Sequence, residues 1–465
     1  MNLSDVPKLT TFNGTENVLL DKSGVFYKAS FSDVLAAMPN ANGVYPDVPL
    51  NRVRITRLVG QASTVVTISG NVSLIQELLA MCFPVLVDRN AIVAAHLNGN
   101  DVRKTVDGLT ATLDDWTLQC MVRMGGWWKH YSYNASTNEK YIDLSPRKVR
   151  GYRYVRRRFL AQHGGTVESH DSKNMLISNS GKWTTQNVSL ANLHQYAKNL
   201  GENFREHAVQ DQEVYRDLFW LLKGTFNSQS VFPGITCSDA WWQKLDRSSE
   251  GGASSRGQFH KTGDLNDIAG HEGQRDLTLT NSEGTQATVH AYKFLWIDHL
   301  LAGPYWIWAT GYVKKNHKWY RAKNINTVTG FDPTDETKWE YLCDECLNEG
   351  WILEDFEDTL IPTMVGGDAS KGHADYYYRA YAEDTVYIPA VVGCAYHGSL
   401  CGVSHLYSDS VASNTNTYYG GALATRSSEL AVFFGKQFIE IWVDYIVGNP
   451  QQVIEATAEV ESDEE

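Results

Sequence analysis

Near the start of the chain, short runs of mixed apolar and polar positions alternate with turn residues. "RVRITRLVG" (52–60) and "STVVTISGN" (63–71) are short runs rich in β-branched residues, each closing on Gly or Asn, a pattern that predicts short strands separated by turns. A helical period follows. In "SLIQELLAMCF" (73–83), Leu74, Leu78, Leu79 and Phe83 keep helical spacing behind Ser73, a residue suited to an N-cap. Residues 1–88 are therefore expected to form a small α+β module.

Helical periodicity is clearest around 189–224. Leu190, Leu193, Ala197, Leu200 and Phe204 fall on one face, and Val214, Leu218, Leu221 and Leu222 on another, with Gly201 and Gly224 near the ends. Two amphipathic helices are expected. Beyond Asn227 the pattern changes to short aromatic strands and Gly- and Ser-rich loops such as "DRSSEGGASSRG" (246–257), until helical spacing returns in "ELAVFFGKQFIEIWVDYIV" (429–447). Loops in this number need a rigid scaffold, and long ordered loops are where function concentrates. The closing residues 448–465 hold "EATAEVESDEE", an acidic run that predicts a solvated, disordered tail.

Composition sharpens the picture in two places. A net charge of −13 argues against a non-specific nucleic-acid binder, whose affinity comes from Lys and Arg on phosphates. Aromatic residues make up 12% of the chain, 24 of them Tyr, more than a core needs and of the kinds that make binding surfaces. Against the overall charge, "RKVRGYRYVRRR" (147–158) is strongly basic, but its interleaved Tyr152, Tyr154 and Val155 favour a strand with one wet face over a polyanion site. The first residues carry no charged segment leading an apolar run, and no apolar stretch nears the roughly 20 residues that span a bilayer, so synthesis in a cytosol without membrane insertion is expected.

Chemistry-bearing motifs are sparse. The chain lacks G-x-S-x-G, H-E-x-x-H, Walker A and G-x-G-x-x-G patterns. Its seven cysteines are irregularly spaced, and "CDEC" (Cys343, Cys346) is half a zinc site, more simply read as a thiol pair. His260, His271, His290 and His299 share no metal-ligand spacing. The carboxylate pairs of "EDFEDT" (354–359) and "DPTDET" (332–337) could serve a glycosidase, but solvated acidic loops are the simpler account. Neither catalytic residues nor a cofactor or metal is expected.

Several segments, in order along the chain, resemble one family. They are "LNGNDVRKTVDGLTATLDDWTLQCMVRMGGWWKHY", "IDLSPRKVRGYRYVRRRFLAQHGG", "LFWLLKGTFNSQSVFPGI", "TVHAYKFLWIDHLLAGPYWIWATGYV" with Tyr292, Leu295, Trp296, Trp306 and Trp308, "IPTMVGGDASKGHADYYY" and "VVGCAYHGSLCGVSHLY…YYGGALATR". Together, from Ala91 to Arg426, they look like phage tail and head fibre proteins carrying a C-type-lectin-like domain of the formylglycine-generating-enzyme type, as in targets of diversity-generating retroelements. Two departures stand out. Gly393, Cys394, Ala395 and Tyr396 occupy the place of Gly-Gly-x-Trp, and "FLWIDHLLAGP" is longer than its counterpart.

The resemblance implies an α+β lectin-like domain over 89–447 behind a virion-attachment or oligomerisation module at 1–88, with residues 366–426 as a display surface. That segment's Tyr, Ser, Gly and Asn are the residue types of adaptable binding loops. The ligand-binding residues implied are Tyr396, His397, Ser399, His405, Tyr407, Asn414, Asn416, Tyr418 and Tyr419. Expected partners are a host surface glycan or protein receptor and other virion proteins, with the chain a homo-oligomer, a trimer by analogy, located in the virion. In "DYYYRAY" the alternation predicts half of Tyr376, Tyr377, Tyr378 and Tyr381 in the core, and Gly366, Gly367, Gly420 and Gly421 read as positive-φ turn residues.

Three other readings remain open or are limited at this level. A purely structural virion component would use the same fold for subunit contacts. A metal-dependent oxidase of the formylglycine-generating class would need Cys394 and Cys401 as its reactive pair, at a spacing of seven that differs from that class. A calcium-dependent lectin would need "EPN" or "QPD" with "WND", none of which occurs.

Overall fold

The computed structural model describes residues 17–22, 25–30, 38–60, 63–233, 237–301, 303, 305–326 and 330–425. The helical pattern at 429–447 and the acidic tail at 448–465 lie outside the described residues. The fold is mostly β-sheet with few helices, as an α+β or β-rich chain would be. One seven-stranded sheet runs in the order Phe204–Glu206, Leu423–Thr425, Arg158–Ala161, Leu118–Met124, Phe83–Asp88, Val93–Asn98 and Asp101–Thr105. A second runs Pro362–Val365, Gly350–Asp355, Tyr376–Arg379, Gly402–Ser410, Ile388–Val392, Trp306–Trp308 and Tyr419–Gly420.

The boundary expected at residue 88 falls inside the first of these sheets. Strand Phe83–Asp88 pairs along its whole length with Leu118–Met124, and Val53–Leu58 lies between Thr67–Gly70 and Glu139–Ser145 in a five-stranded sheet. Strands of this early segment would have open edges if left alone, and pairing with later strands closes them. The hairpin Asn17–Lys22 and Val25–Ser30 pairs within itself.

The helices form where the spacing places them, with differences at their ends. Leu74–Ala80 is shorter than the pattern, and Ser73 does not cap it. Its backbone is already helical, and its hydroxyl bonds Asn71 Oδ1 at 2.6 Å instead. Leu190–Leu200 buries Leu190, Leu193, Ala197 and Leu200, and Ser189 accepts a bond from the Asn192 amide at 3.3 Å. Phe204 lies beyond it, in the strand Phe204–Glu206. Val209–Lys223 ends on Gly224 at φ 64°, the left-handed stop that glycine adopts without strain.

This last helix is buried nearly all round rather than on one stripe. Its polar side meets polar partners inside the protein. Asp211 is held by Arg205 at 2.5 Å and Arg158 at 2.9 Å, and Arg216 donates to the Thr359 carbonyl at 2.6 Å and to the Asp358 carbonyl at 2.8 Å. The segment "EDFEDT" is the main partner, so the solvated loop expected there is replaced by a buried ionic network. Asp355 pairs with Arg57 and Arg216, Glu354 with Lys140, and Asp358 with Lys129 and Arg153. Burial of these charges is tolerable because each is paired. "DPTDET" is on the surface, with Asp332 and Glu336 exposed.

A second buried pair gives a pH-dependent prediction. His163 Nδ1 lies 2.6 Å from Asp298 Oδ2, with both side chains almost fully enclosed. Burial by itself lowers the imidazole pKa, but the Asp298 carboxylate outweighs it and holds His163 up at about 10. Raised above its unfolded value of about 6.5, this group stabilises the fold fully below pH 6.5 and loses that contribution as pH rises toward 10. The stability gap between wild type and His163→Gln should therefore be largest, about 3 kcal/mol, in mild acid and shrink toward pH 10. Denaturant titrations of both proteins at several pH values check it, and a gap that grows with pH contradicts it.

Candidate functional site

Strand Gly402–Ser410 pairs antiparallel with Ile388–Val392 and parallel with Tyr376–Arg379, so its later residues sit mid-sheet. Residues two apart share a face, which places Tyr407 and Asp409 together on the half-exposed side and Leu406 and Ser408 in the core. From the strand beyond Ile388–Val392, Trp306 reaches across so that its ring lies 4.2 Å from that of Tyr407. Tyr419, on the parallel neighbour of Trp306–Trp308, stacks on Trp308 at 4.3 Å.

Between the ends of these strands the loop 411–418 forms a wall. A cleft of about 370 Å³ opens there, lined by Trp306, Tyr407, Asp409, Ser410, Asn414, Thr415, Asn416, Tyr418 and Tyr419. The wall is tied from behind. Gln186 Nε2 donates to the Thr417 carbonyl at 2.7 Å, the Asn187 amide donates to the carbonyls of Asn416 and Tyr419 at 3.1 and 3.0 Å, and the Ala191 amide donates to Ala412 at 3.3 Å. Arg256, paired with Asp239 at 3.2 Å, lies over the Tyr418 ring at 4.2 Å. A loop fixed before ligand arrives loses little entropy on binding.

The electrostatics of the cleft come from one carboxylate. Burial holds Asp409 above the usual carboxylate range. Burial, the neighbouring Tyr419 and then Asp409 push the Tyr407 phenol well up. Tyr419 is raised to about 12, chiefly by burial, and its hydroxyl lies 2.5 Å from Ser410 Oγ. At pH 7 the lining thus offers neutral phenols, a hydroxyl pair and side-chain amides around a partly desolvated acid.

Of the residues expected to form a ligand face, Tyr407, Asn414, Asn416, Tyr418 and Tyr419 come together on this cleft. His397 and His405 do not. Both are buried behind Trp306, with ring centroids 5.1 and 4.5 Å from it: His397 belongs to the short helical segment Ala395–Leu400, and His405, on the same strand face as Tyr407, is covered by Trp306 and by that segment, its Nδ1 2.6 Å from the Leu400 carbonyl. Burial lowers their pKa values to about 4 and about 3, so they pack as neutral rings. Ser399 is exposed in that segment, apart from the cleft lining, and Tyr396 lies in the same segment.

Trp306, Asp409, Ser410 and Thr415 complete the lining. Trp306 is visible in sequence as a core aromatic, whereas Asp409 and Ser410 in "LYSDS" carry no signal beyond their two-residue offsets from Tyr407 and Ser408. Cys394 and Cys401 are both buried, and burial raises the Cys401 thiol far above its ordinary value, opposite to what a nucleophilic thiolate needs. Cys394 Sγ is 3.1 Å from His397 Nδ1. Among the described residues no three His, Cys, Asp or Glu side chains are grouped so that they could hold a metal ion, and no helix is long and apolar enough to cross a membrane.

No family model matches the chain, and no curated protein matches it.

Proposed function

We propose that this chain is a bacteriophage virion fibre protein, of tail or head, that binds a host surface receptor through the cleft beneath the loop 411–418. The observation that carries the reading is the tethered wall: Asn414, Thr415 and Asn416 are exposed on a loop held from behind by Gln186, Asn187 and Arg256, facing a floor of aromatic rings. Aromatic groups with adaptable amides and hydroxyls on a rigid support make a recognition surface. The ordered resemblance of Ala91–Arg426 to lectin-like fibre proteins supports the same reading. Several copies on a particle would convert weak single-site contacts into firm adhesion.

Binding of the labelled protein to intact cells of a panel of bacterial strains tests it. Saturable binding to some strains is expected, with affinity at least tenfold lower for a variant carrying Asn414→Ala, Thr415→Ala and Asn416→Ala. Those side chains are exposed, so the fold is expected to survive the change. A folded protein that binds no strain would instead favour the structural virion component, with the cleft facing another subunit.

A further inference from the structure

On the reading of this cleft as a receptor site, we propose that its ligand is the uncharged terminal sugar of a glycan, held through adjacent hydroxyls by Asp409 and the Asn414 and Asn416 amides, and that acidic sugars are refused. Three observations carry this. The lining contains one carboxylate and no Lys, Arg or His, so an anionic ligand would meet Asp409 without a counter-charge. Two cations near the lining are committed elsewhere: Arg256 to Asp239 and the Tyr418 ring, and Lys314 to Glu345 at 2.6 Å and Ser408 at 3.0 Å.

The second observation is the polar character of the surface the cleft presents. Trp306 and Tyr419 are only 1% and 5% exposed and Tyr407 and Tyr418 are half-buried, so the aromatic floor offers modest apolar contact beside the amides, hydroxyls and the acid. A quaternary ammonium, which has no proton to donate to Asp409, would need open aromatic faces around it. A polyol needs the reverse, several convergent donors and acceptors with modest apolar contact. Third, Asp409 is already bonded by the Tyr407 phenol and by the Ser410 hydroxyl, the latter at 3.1 Å, which orient the carboxylate, and its remaining lone pairs leave acceptor capacity for ligand hydroxyls. A volume of about 370 Å³ is at the small end of ligand sites, suited to a chain end.

A glycan array presenting neutral, uronic, sialylated and amino sugars at high density, probed with the full chain, tests the proposal. Signal is expected on neutral sugars and not on acidic ones. Asp409→Asn, which keeps the shape of the side chain, should weaken the neutral signal about tenfold, the loss of charge-assisted hydrogen bonding. Asn414→Ala, on the exposed wall, should weaken it severalfold and serves if Asp409→Asn fails to fold. Preference for acidic or for amino sugars overturns the proposal, as does a neutral signal that both variants leave unchanged. Binding to cells without binding to any sugar overturns it while leaving the receptor reading intact. Absence of binding to both cells and sugars ends that reading as well.

Discussion

Asp355→Ala is expected to cost about 3–5 kcal/mol of stability, the range for removing one partner of a buried ion pair. Asp355 is 1% exposed and accepts from Arg57, while Arg216 Nη1 lies 3.3 Å from its other oxygen and Lys140 Nζ 4.0 Å from the first. Arg57 belongs to the strand Val53–Leu58 and Arg216 to the helix Val209–Lys223, so one carboxylate joins an early strand, a central helix and the strand Gly350–Asp355. Its removal leaves two enclosed guanidinium groups short of a counter-charge.

Burial works against the Asp355 carboxylate, but Arg57 and the other bases outweigh it and hold its pKa below the usual range. With the folded value depressed, the stabilisation is present above the unfolded pKa of about 4 and is lost as pH falls through the lower folded value. The gap between wild type and Asp355→Ala should accordingly be full at neutral pH and close in acid. Denaturation midpoints at pH 7 and pH 3 check both halves. A variant as stable as wild type at pH 7 would mean that the network is dispensable.

That network also marks where sequence reasoning reached its limit. Local spacing was sufficient for Leu190, Leu193, Ala197 and Leu200, because the buried face of a helix repeats within the helix itself. In "DYYYRAY" the alternation likewise anticipated a mixture, with Tyr377 buried and Tyr381 exposed. Spacing could not reveal that "EDFEDT" lies inside, since the bases that neutralise it stand at Arg57, Lys129, Lys140, Arg153 and Arg216, far away in the chain. A buried charge is recognised by its partner, and the partner is a tertiary fact.

The glycines divide in the same way. Gly367 has the positive φ, 72°, that its turn predicts. Gly420 and Gly421 are needed for close approach instead: a Cβ on Gly420 would lie 2.3 Å from the Tyr305 ring, and one on Gly421 2.8 Å from Leu193. For the cleft, the resemblance implied nine residues, of which five meet on one lining. It could not tell His405 from Tyr407, because two residues on one strand face differ in exposure only through what packs over them.

Trp306→Ala should cost about 3–5 kcal/mol and also abolish binding, and the two losses can be separated. The indole is 1% exposed and packed among His397, His405, Tyr407 and Tyr378, so truncation opens a cavity against the face of the second sheet. Strand pairing itself does not depend on the side chain. Ile307 and Trp308 keep their partners Val391 and Ala390, and the Trp306 amide still donates to the Tyr418 carbonyl at 2.6 Å. The damage should therefore be local packing rather than loss of the sheet, visible as a lower denaturation midpoint with the far-ultraviolet spectrum retained.

On the proposed receptor reading, binding would fail for a different reason: Tyr407 rests on the indole, and without it the phenol and Asp409 two residues on are no longer fixed. Trp306→Phe discriminates between the two effects. A phenyl ring refills part of the cavity and should recover most of the stability, yet it is too small to support Tyr407 at the same height, so binding should stay weak. Recovery of both would make Trp306 a space-filling core residue and move recognition wholly to the loop 411–418. Loss of binding with stability restored would place the floor of the cleft, as well as its wall, in the recognition surface.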